Sequence, residues 1–272
     1  MKISILGCGW LGLPLAEHLI SKHHFVKGST TSEQKIELLS KAGIEPFLIV
    51  LGANESSDHI AKFLTDAEVL IIAIPPGLRK DPTADFVSKI QVLIPFIEKS
   101  GVNKILLISS IGVFEDNNQR INKFTQPNGI SESAKQMIAV EKLLQNNQRF
   151  QTTVLRFGGL INETRHPILI LSGKKNLPHP KAPVNLIHLE DCIGIVEAII
   201  EQNYWGKSLN AVGEEHPTRA SYYTEMAKIN QLPLPTFNEK SVSVGKNFKQ
   251  QLLEKEIGYQ FKKPIAPFKI KI

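Results

Sequence analysis

Three glycines at positions 7, 9 and 12, in the stretch GCGWLG, follow the apolar run KISIL and lead straight into LPLAEHLI. Spacing of this kind suits one task, the holding of a pyrophosphate. The first glycine permits a tight turn, and the second lets a phosphate approach bare backbone. The third lets strand and helix pack closely, while the helix start adds N–H donors and the positive end of its dipole. Gly7, Gly9 and Gly12, with Trp10 and Leu11 between them, fall where the motif needs them, at a strand end and a helix start. The competing reading is a glycine-rich turn that binds nothing.

Selectivity in such a site is set at the tip of the second strand, where an acid takes the ribose hydroxyls of NAD. Here FVKGST ends in Ser29 and Thr30, followed by Thr31, with Lys35 one helical turn further on. Hydroxyls, amides at a helix start and an ammonium suit a 2′-phosphate, so NADP is expected over NAD. Ser32 also fits a helix cap, and the two roles are compatible. Glu33 falls inside the helix rather than at the strand tip. Pro75-Pro76-Gly77 closes the fourth strand at the sheet edge where ligands bind. The prolines either wall the cofactor or simply end the strand.

The elements that position these residues follow from periodicity. Strands are expected at 2–7, 25–30, 45–50, 68–74, 104–110 and 152–157. Helices are expected at 13–22, 32–43, 56–65, 83–101 and 131–147, two of them stopped by glycine. Buried strands without polar alternation, each followed by an amphipathic helix, predict an α/β fold of the Rossmann type, a doubly wound parallel sheet covered on both faces. Past residue 158 the pattern loosens. Helices are expected at 189–203, 218–230 and 244–258, with a strand at 208–212. The division expected is a dinucleotide-binding domain over 1–160 and a smaller substrate-side lobe over 161–272, of which 184–212 returns to the main sheet.

Composition narrows the function classes. Hydrophobic residues make up 42% and charged residues 21%, ordinary globular values. The run VLIIAIPPGL is too short for a membrane span and is broken by prolines. MKISILGCGW lacks the apolar core and cleavage site of a signal peptide, so a soluble cytoplasmic protein is expected. Cys8 and Cys192 have no CxxC partner, and no His/Cys/carboxylate cluster has metal-ligand spacing, so neither disulfide nor metal is expected. The net charge of +6 comes from dispersed lysines, which suits small phosphate-bearing ligands better than nucleic acid.

Several stretches together resemble the extended short-chain dehydrogenase/reductases of the NAD-dependent epimerase/dehydratase type. ISSIGVF (108–114) resembles the fifth-strand signature, and AVEKLL (139–144) the helix that carries the catalytic pair. VLRFGGLI (154–161) resembles the sixth strand, and VNLIHLEDC (184–192) the I-H-x-x-D segment. The GxGxxG form, the proline pair, HPTRASYYTEMA (216–227) and IGYQFKKP (257–264) point to atypical members, the small YeeZ-type group. A 3-hydroxyacid dehydrogenase shares the glycine loop but ends in a long helical domain, which this chain does not predict.

The resemblance implies a tyrosine that moves the substrate proton, a lysine four residues on that lowers its pKa, and a serine that orients the substrate. Ser110 matches the serine, and Ser109 beside it is expected at the cofactor. The tyrosine has no match. Counting back from Glu141 places it at Ser133 with Met137 for the lysine, and counting from Lys135 places it at Ser131. The four tyrosines, Tyr204, Tyr222, Tyr223 and Tyr259, all lie in the last third. One lysine cannot ionise a serine hydroxyl near neutrality, so the standard relay is missing. Arg165 and His188 are the residues assigned to substrate, against a solvated arginine and a histidine that holds the sheet end. Asp191 is expected to anchor its helix, and His166 and His179 to lie at the surface. Glu115 and Asp116 are weak acid or base candidates. The resemblance also allows a homodimer through helices 83–101 and 131–147. Two functions stay open: an NADP-dependent enzyme acting on a small-molecule substrate, and a non-catalytic nucleotide-binding sensor.

Overall fold

The chain opens with β1 (Lys2–Leu6), α1 (Gly12–Ser21), β2 (Phe25–Thr30), α2 (Ile36–Lys41), β3 (Glu45–Leu48), α3 (Ser57–Leu64) and β4 (Val69–Ile72) in a computed structural model. It continues through α4 (Phe86–Ser100), β5 (Lys104–Ser110), β6 (Arg120–Ile121), α5 (Glu132–Gln145) and β7 (Gln151–Phe157). The later elements are β8 (Gly159–Ile161), α6 (Ile168–Leu171), β9 (Leu186–His188), α7 (Leu189–Glu201), β10 (Ser208–Ala211), α8 (Arg219–Ile229), β11 (Asn247–Phe248) and α9 (Leu253–Ile257). The structure describes residues 1–52, 57–248 and 253–271. Among the described residues no helix is long and apolar enough to cross a membrane.

Seven strands form the main sheet in the order β10-β7-β5-β4-β1-β2-β3. The β1–β2, β1–β4, β2–β3 and β4–β5 pairs are parallel. The order reverses between β1 and β4, the switch point where sheets of this kind open a ligand crevice. Residues of β1, β4 and β5 such as Ile5, Ile71 and Leu106 are fully buried. Their continuous apolar runs are what a sheet with helices on both faces demands. The expected α/β sheet is the one observed.

Local chemistry sets the helix limits. The Asp85 carboxylate caps α4 by accepting from the Ser88 N–H at 2.9 Å, and Gly101 ends that helix in the left-handed region. The helix expected at 32–43 is a short 3₁₀ turn, Glu33–Lys35, followed by α2. The helix expected at 244–258 is corrected more deeply. Residues 247–248 are extended and pair in parallel with β6, and Leu253–Ile257 is helical. Non-local bonds override helical periodicity there: the Gly245 N–H donates to Asn118 Oδ1, and Lys246 pairs with Asp116. The remaining part of that segment, 249–252, lies outside the described residues. Of 184–212, β10 joins the main sheet, whereas β9 pairs in parallel with β8 in a separate two-stranded sheet.

The chain forms two compact units. One comprises Met1–Ser109, Ile130–Arg156 and Ile199–Leu209; the other comprises Ser110–Gly129, Phe157–Ala198 and Asn210–Ile272. The second has its own core, in which Ile161, Ile168, Leu186, Tyr222, Met226 and Ile265 pack together.

Candidate functional site

The glycine loop is held by its own neighbours. Gly7 has φ +103°, a conformation that disfavours side chains, and a Cβ there would meet Ile74 Cγ2 at 2.7 Å. Gly12 is more tightly constrained, since its Cβ would lie 2.2 Å from the Gly7 carbonyl oxygen. Ser29, at 2% exposure, fastens the loop to β2. Its Oγ accepts from the Gly7 N–H at 2.9 Å and its carbonyl accepts from the Cys8 N–H at 2.7 Å. Helix α1 then starts with no side-chain cap and no acidic residue in its first turn. An anion at that end meets the dipole without competition from a carboxylate.

A cavity of about 310 Å³ opens beside this loop. Gly7, Gly9, Ser29, Thr30, Thr31, Lys35 and Pro75 line it, all expected at a cofactor. Trp10, Leu11, Gly12, Pro76 and Ser109 do not: Leu11 and Gly12 are buried where α1 begins. Sequence reasoning missed Lys89, on the first turn of α4, and the apolar wall of Ile49, Leu51 and Ile74. Lys89 sits close enough to Asp81 and Asp85 to help hold their carboxyls below the usual range, though bonds from Thr83 and Ser88 contribute more. Among the described residues no carboxylate lines the cavity, while two cations do. Thr30 Oγ1 accepts from the Ser32 N–H at 3.2 Å, so the strand tip is itself ordered by a turn. Burial pushes the Cys8 thiol up to about 12, which keeps it neutral and unreactive. An apolar slot for a base, a bare glycine backbone and cationic side chains together fit a dinucleotide.

Two of the serines expected near the chemistry, Ser110 and Ser131, are engaged as helix caps. Ser110 Oγ accepts from the Gly112 N–H at 3.0 Å, capping the 3₁₀ turn after β5. Ser131 Oγ accepts from the Ala134 N–H at 3.2 Å and caps α5. Ser133 and Lys135 are exposed and Met137 is buried. Ser109 donates to Glu141 Oε1 at 2.6 Å, and Arg156 clamps the same carboxylate through Nε and Nη2, the latter at 2.7 Å. The residue that fixed the family register thus belongs to a buried Ser–Glu–Arg network.

In the second unit, His188 is buried, with Nδ1 accepting from the Glu190 N–H and Nε2 facing Glu163 at 3.5 Å. Arg165 is exposed beside a turn in which its N–H donates to Asn162 Oδ1 at 2.8 Å. Asp191, fully buried, accepts from the Tyr259 hydroxyl and from the N–H groups of Lys262 and Lys263, tying the C-terminal segment to α7. His166 was expected at the surface and is instead 3% exposed, ringed by Tyr222, Tyr223 and Phe268. Its Nδ1 accepts from the Ile168 N–H, so Nε2 carries the proton and donates to Tyr222 Oη at 3.1 Å. Burial lowers its pKa to about 4. His179 is half-buried and its Nδ1 donates to the Val242 carbonyl at 2.8 Å.

Comparison with known proteins gives the family and the fold. The family model described as NAD(P)H-binding matches residues 7–185. Protein YeeZ of Escherichia coli K12 is 30% identical over 268 residues, which covers 97% of this chain and 96% of that one. Among solved structures, UDP-glucuronic acid 4-epimerase from Bacillus cereus, in complex with NAD, superposes with a TM-score of 0.79 at 16% identity, covering 97% of this chain and 93% of that one. UDP-N-acetylglucosamine 4-epimerase from the same organism gives a TM-score of 0.78 at 14% identity over 98% and 96% of the two chains. A glycine loop pinned to β2 beside a cavity that no carboxylate lines among the described residues, and a family match that begins at Gly7, lead to one assignment: the chain belongs to the NAD(P)H-binding family and is a homologue of YeeZ with an epimerase-like fold.

Proposed function

We propose that the chain is an NADP(H)-dependent oxidoreductase or epimerase acting on a small or sugar-nucleotide-like substrate without a Tyr-x-x-x-Lys pair. The observation that carries the cofactor choice is the strand tip: Thr30, Thr31, Lys35 and Lys89 line a cavity that no described carboxylate enters. Gly7 and Gly9 would lie against the pyrophosphate, the Thr30–Lys35 turn and its cations would take the 2′-phosphate, and Ile49, Leu51 and Ile74 would flank the adenine. NADP(H), when bound, supplies hydride transfer. The substrate class is suggested by the two UDP-sugar epimerases that share the fold. In the absence of the phenol, an acid from another part of the chain or a water would handle the substrate proton.

One observation favours a second reading, a non-catalytic NADP-binding sensor. Ser131, at the tyrosine position in one register, is occupied in capping α5. Oxidation of NADPH against a panel of carbonyl compounds, together with chromatography of UDP-sugars for an epimeric product, separates the two, since an epimerase consumes no net cofactor. NADPH oxidation above the cofactor's own decay, or formation of an epimer, counts as turnover and supports the enzyme. Tight NADPH binding with no turnover across the panel transfers the assignment to the sensor, and failure to bind NADPH or NADH sinks both.

A further inference from the structure

A second cavity, of about 290 Å³, lies wholly within the second unit. Its polar lining comes from Asp116, His179, Asn185, Arg219, Tyr223 and Lys246, set among apolar residues such as Val184 and Leu186. Two of those polar groups are left unsatisfied. Asn185 Oδ1 and Arg219 Nε are both buried atoms with no hydrogen-bond partner. The amide of Asn185 is not free to turn and cure this, because its Nδ2 donates to the Lys246 carbonyl at 2.9 Å. Arg219 is also fixed, its backbone N–H bonded to the Ala182 carbonyl at 2.9 Å and its guanidinium 5.8 Å over the Tyr223 ring. Buried polar atoms are nearly always paired in native proteins, so an unpaired acceptor and an unpaired cationic donor on one cavity call for an occupant that pairs both.

The charges say what kind. Lys246 is paired with Asp116 at 2.6 Å, and Arg219 has no carboxylate partner among the described residues. Two cations and one carboxylate leave a single positive charge, which suits a monoanion. A guanidinium edge matches the planar fork of a carboxylate. Asn185 Oδ1 requires a donor, which a hydroxyl provides. A cavity of this volume falls at the small end of ligand sites, the scale of a monosaccharide.

We propose that this cavity binds a sugar acid, with its carboxylate on Arg219 and a hydroxyl donating to Asn185. The inference names the substrate class of the proposed enzyme, and rests on that reading only in calling the ligand a substrate. Isothermal titration of the full chain without cofactor tests it, using D-glucuronate and D-gluconate against D-glucose and D-glucose 6-phosphate. The carboxylates are expected to bind ~tenfold or more tighter than glucose, the scale of one charge-assisted hydrogen bond. Arg219→Gln should erase that preference. Asn185→Asp, which leaves the cation in place and sets a negative charge against the ligand, should weaken glucuronate while the chain keeps its thermal transition. Absence of heat from all four sugars, equal binding of glucose and glucuronate, or tightest binding of glucose 6-phosphate would each overturn the proposal. NADPH titrated in parallel keeps the two ideas apart. Sugar-acid binding without NADPH binding upholds the cavity and sinks the enzyme; the opposite pattern does the reverse.

Discussion

At the scale of single residues, the glycine loop and the strand tip make separable predictions. A methyl at position 12 would sit 2.2 Å from the Gly7 oxygen, so the loop itself must move. Gly12→Ala is expected to weaken NADPH and NADH alike by ~tenfold or more, with a loss of roughly 1–3 kcal/mol in stability from the displaced backbone. Ser29→Ala strands the Gly7 N–H and should also weaken both cofactors together. Lys35→Gln should weaken NADPH about tenfold and leave NADH unchanged, as removal of one phosphate contact would. His166 yields a pH prediction. Its folded pKa is about 4, against about 6.5 in an unfolded chain. Between those values the unfolded state binds more protons, so stability is full above pH ~6.5 and falls by about 3 kcal/mol as pH drops toward 4. Urea melts across that range should show the fall, and His166→Phe should flatten it; parallel slopes in the two proteins would refute it. The glycine motif was legible because its spacing is local. That Ser29 serves the loop, that Lys89 reaches the same cavity, and that His166 is buried all depend on contacts between segments far apart in sequence.

At the scale of elements, the alternation of apolar strands and amphipathic helices was legible through β7, to within a few residues at each end. What escaped were the two- to four-residue pieces β6, β8, β9, β11 and α6, too short to show a period. The segment at 247–248 shows why periodicity fails there: side-chain and backbone bonds to the 116–119 turn select strand over helix. The join between β5, α5 and β7 is the Ser109–Glu141–Arg156 network, whose ion pair is almost fully buried. Removing one partner leaves a buried charge unpaired. Arg156→Met should therefore cost about 3–5 kcal/mol in a denaturant melt, and Ser109→Ala less. An Arg156→Met variant as stable as the parent would show that the pair is not a structural join.

At the scale of the whole molecule, a chain that recruits a dinucleotide to its folded form should be stabilised by it. NADPH at a hundredfold over its Kd is expected to add about 2.7 kcal/mol, seen as a rise in Tm. The fold and the family follow from the sheet and the glycine loop, whereas substrate and catalysis lie in parts of the sequence without a period to read. The central claim is that the Thr30–Lys35 turn selects NADP. Fluorescence titration of the chain and its Lys35→Gln variant with NADPH and NADH tests it most directly. NADPH should bind the parent tighter than NADH, and the variant should lose that preference. Tighter NADH binding by the parent, or a preference untouched by the substitution, would contradict the account.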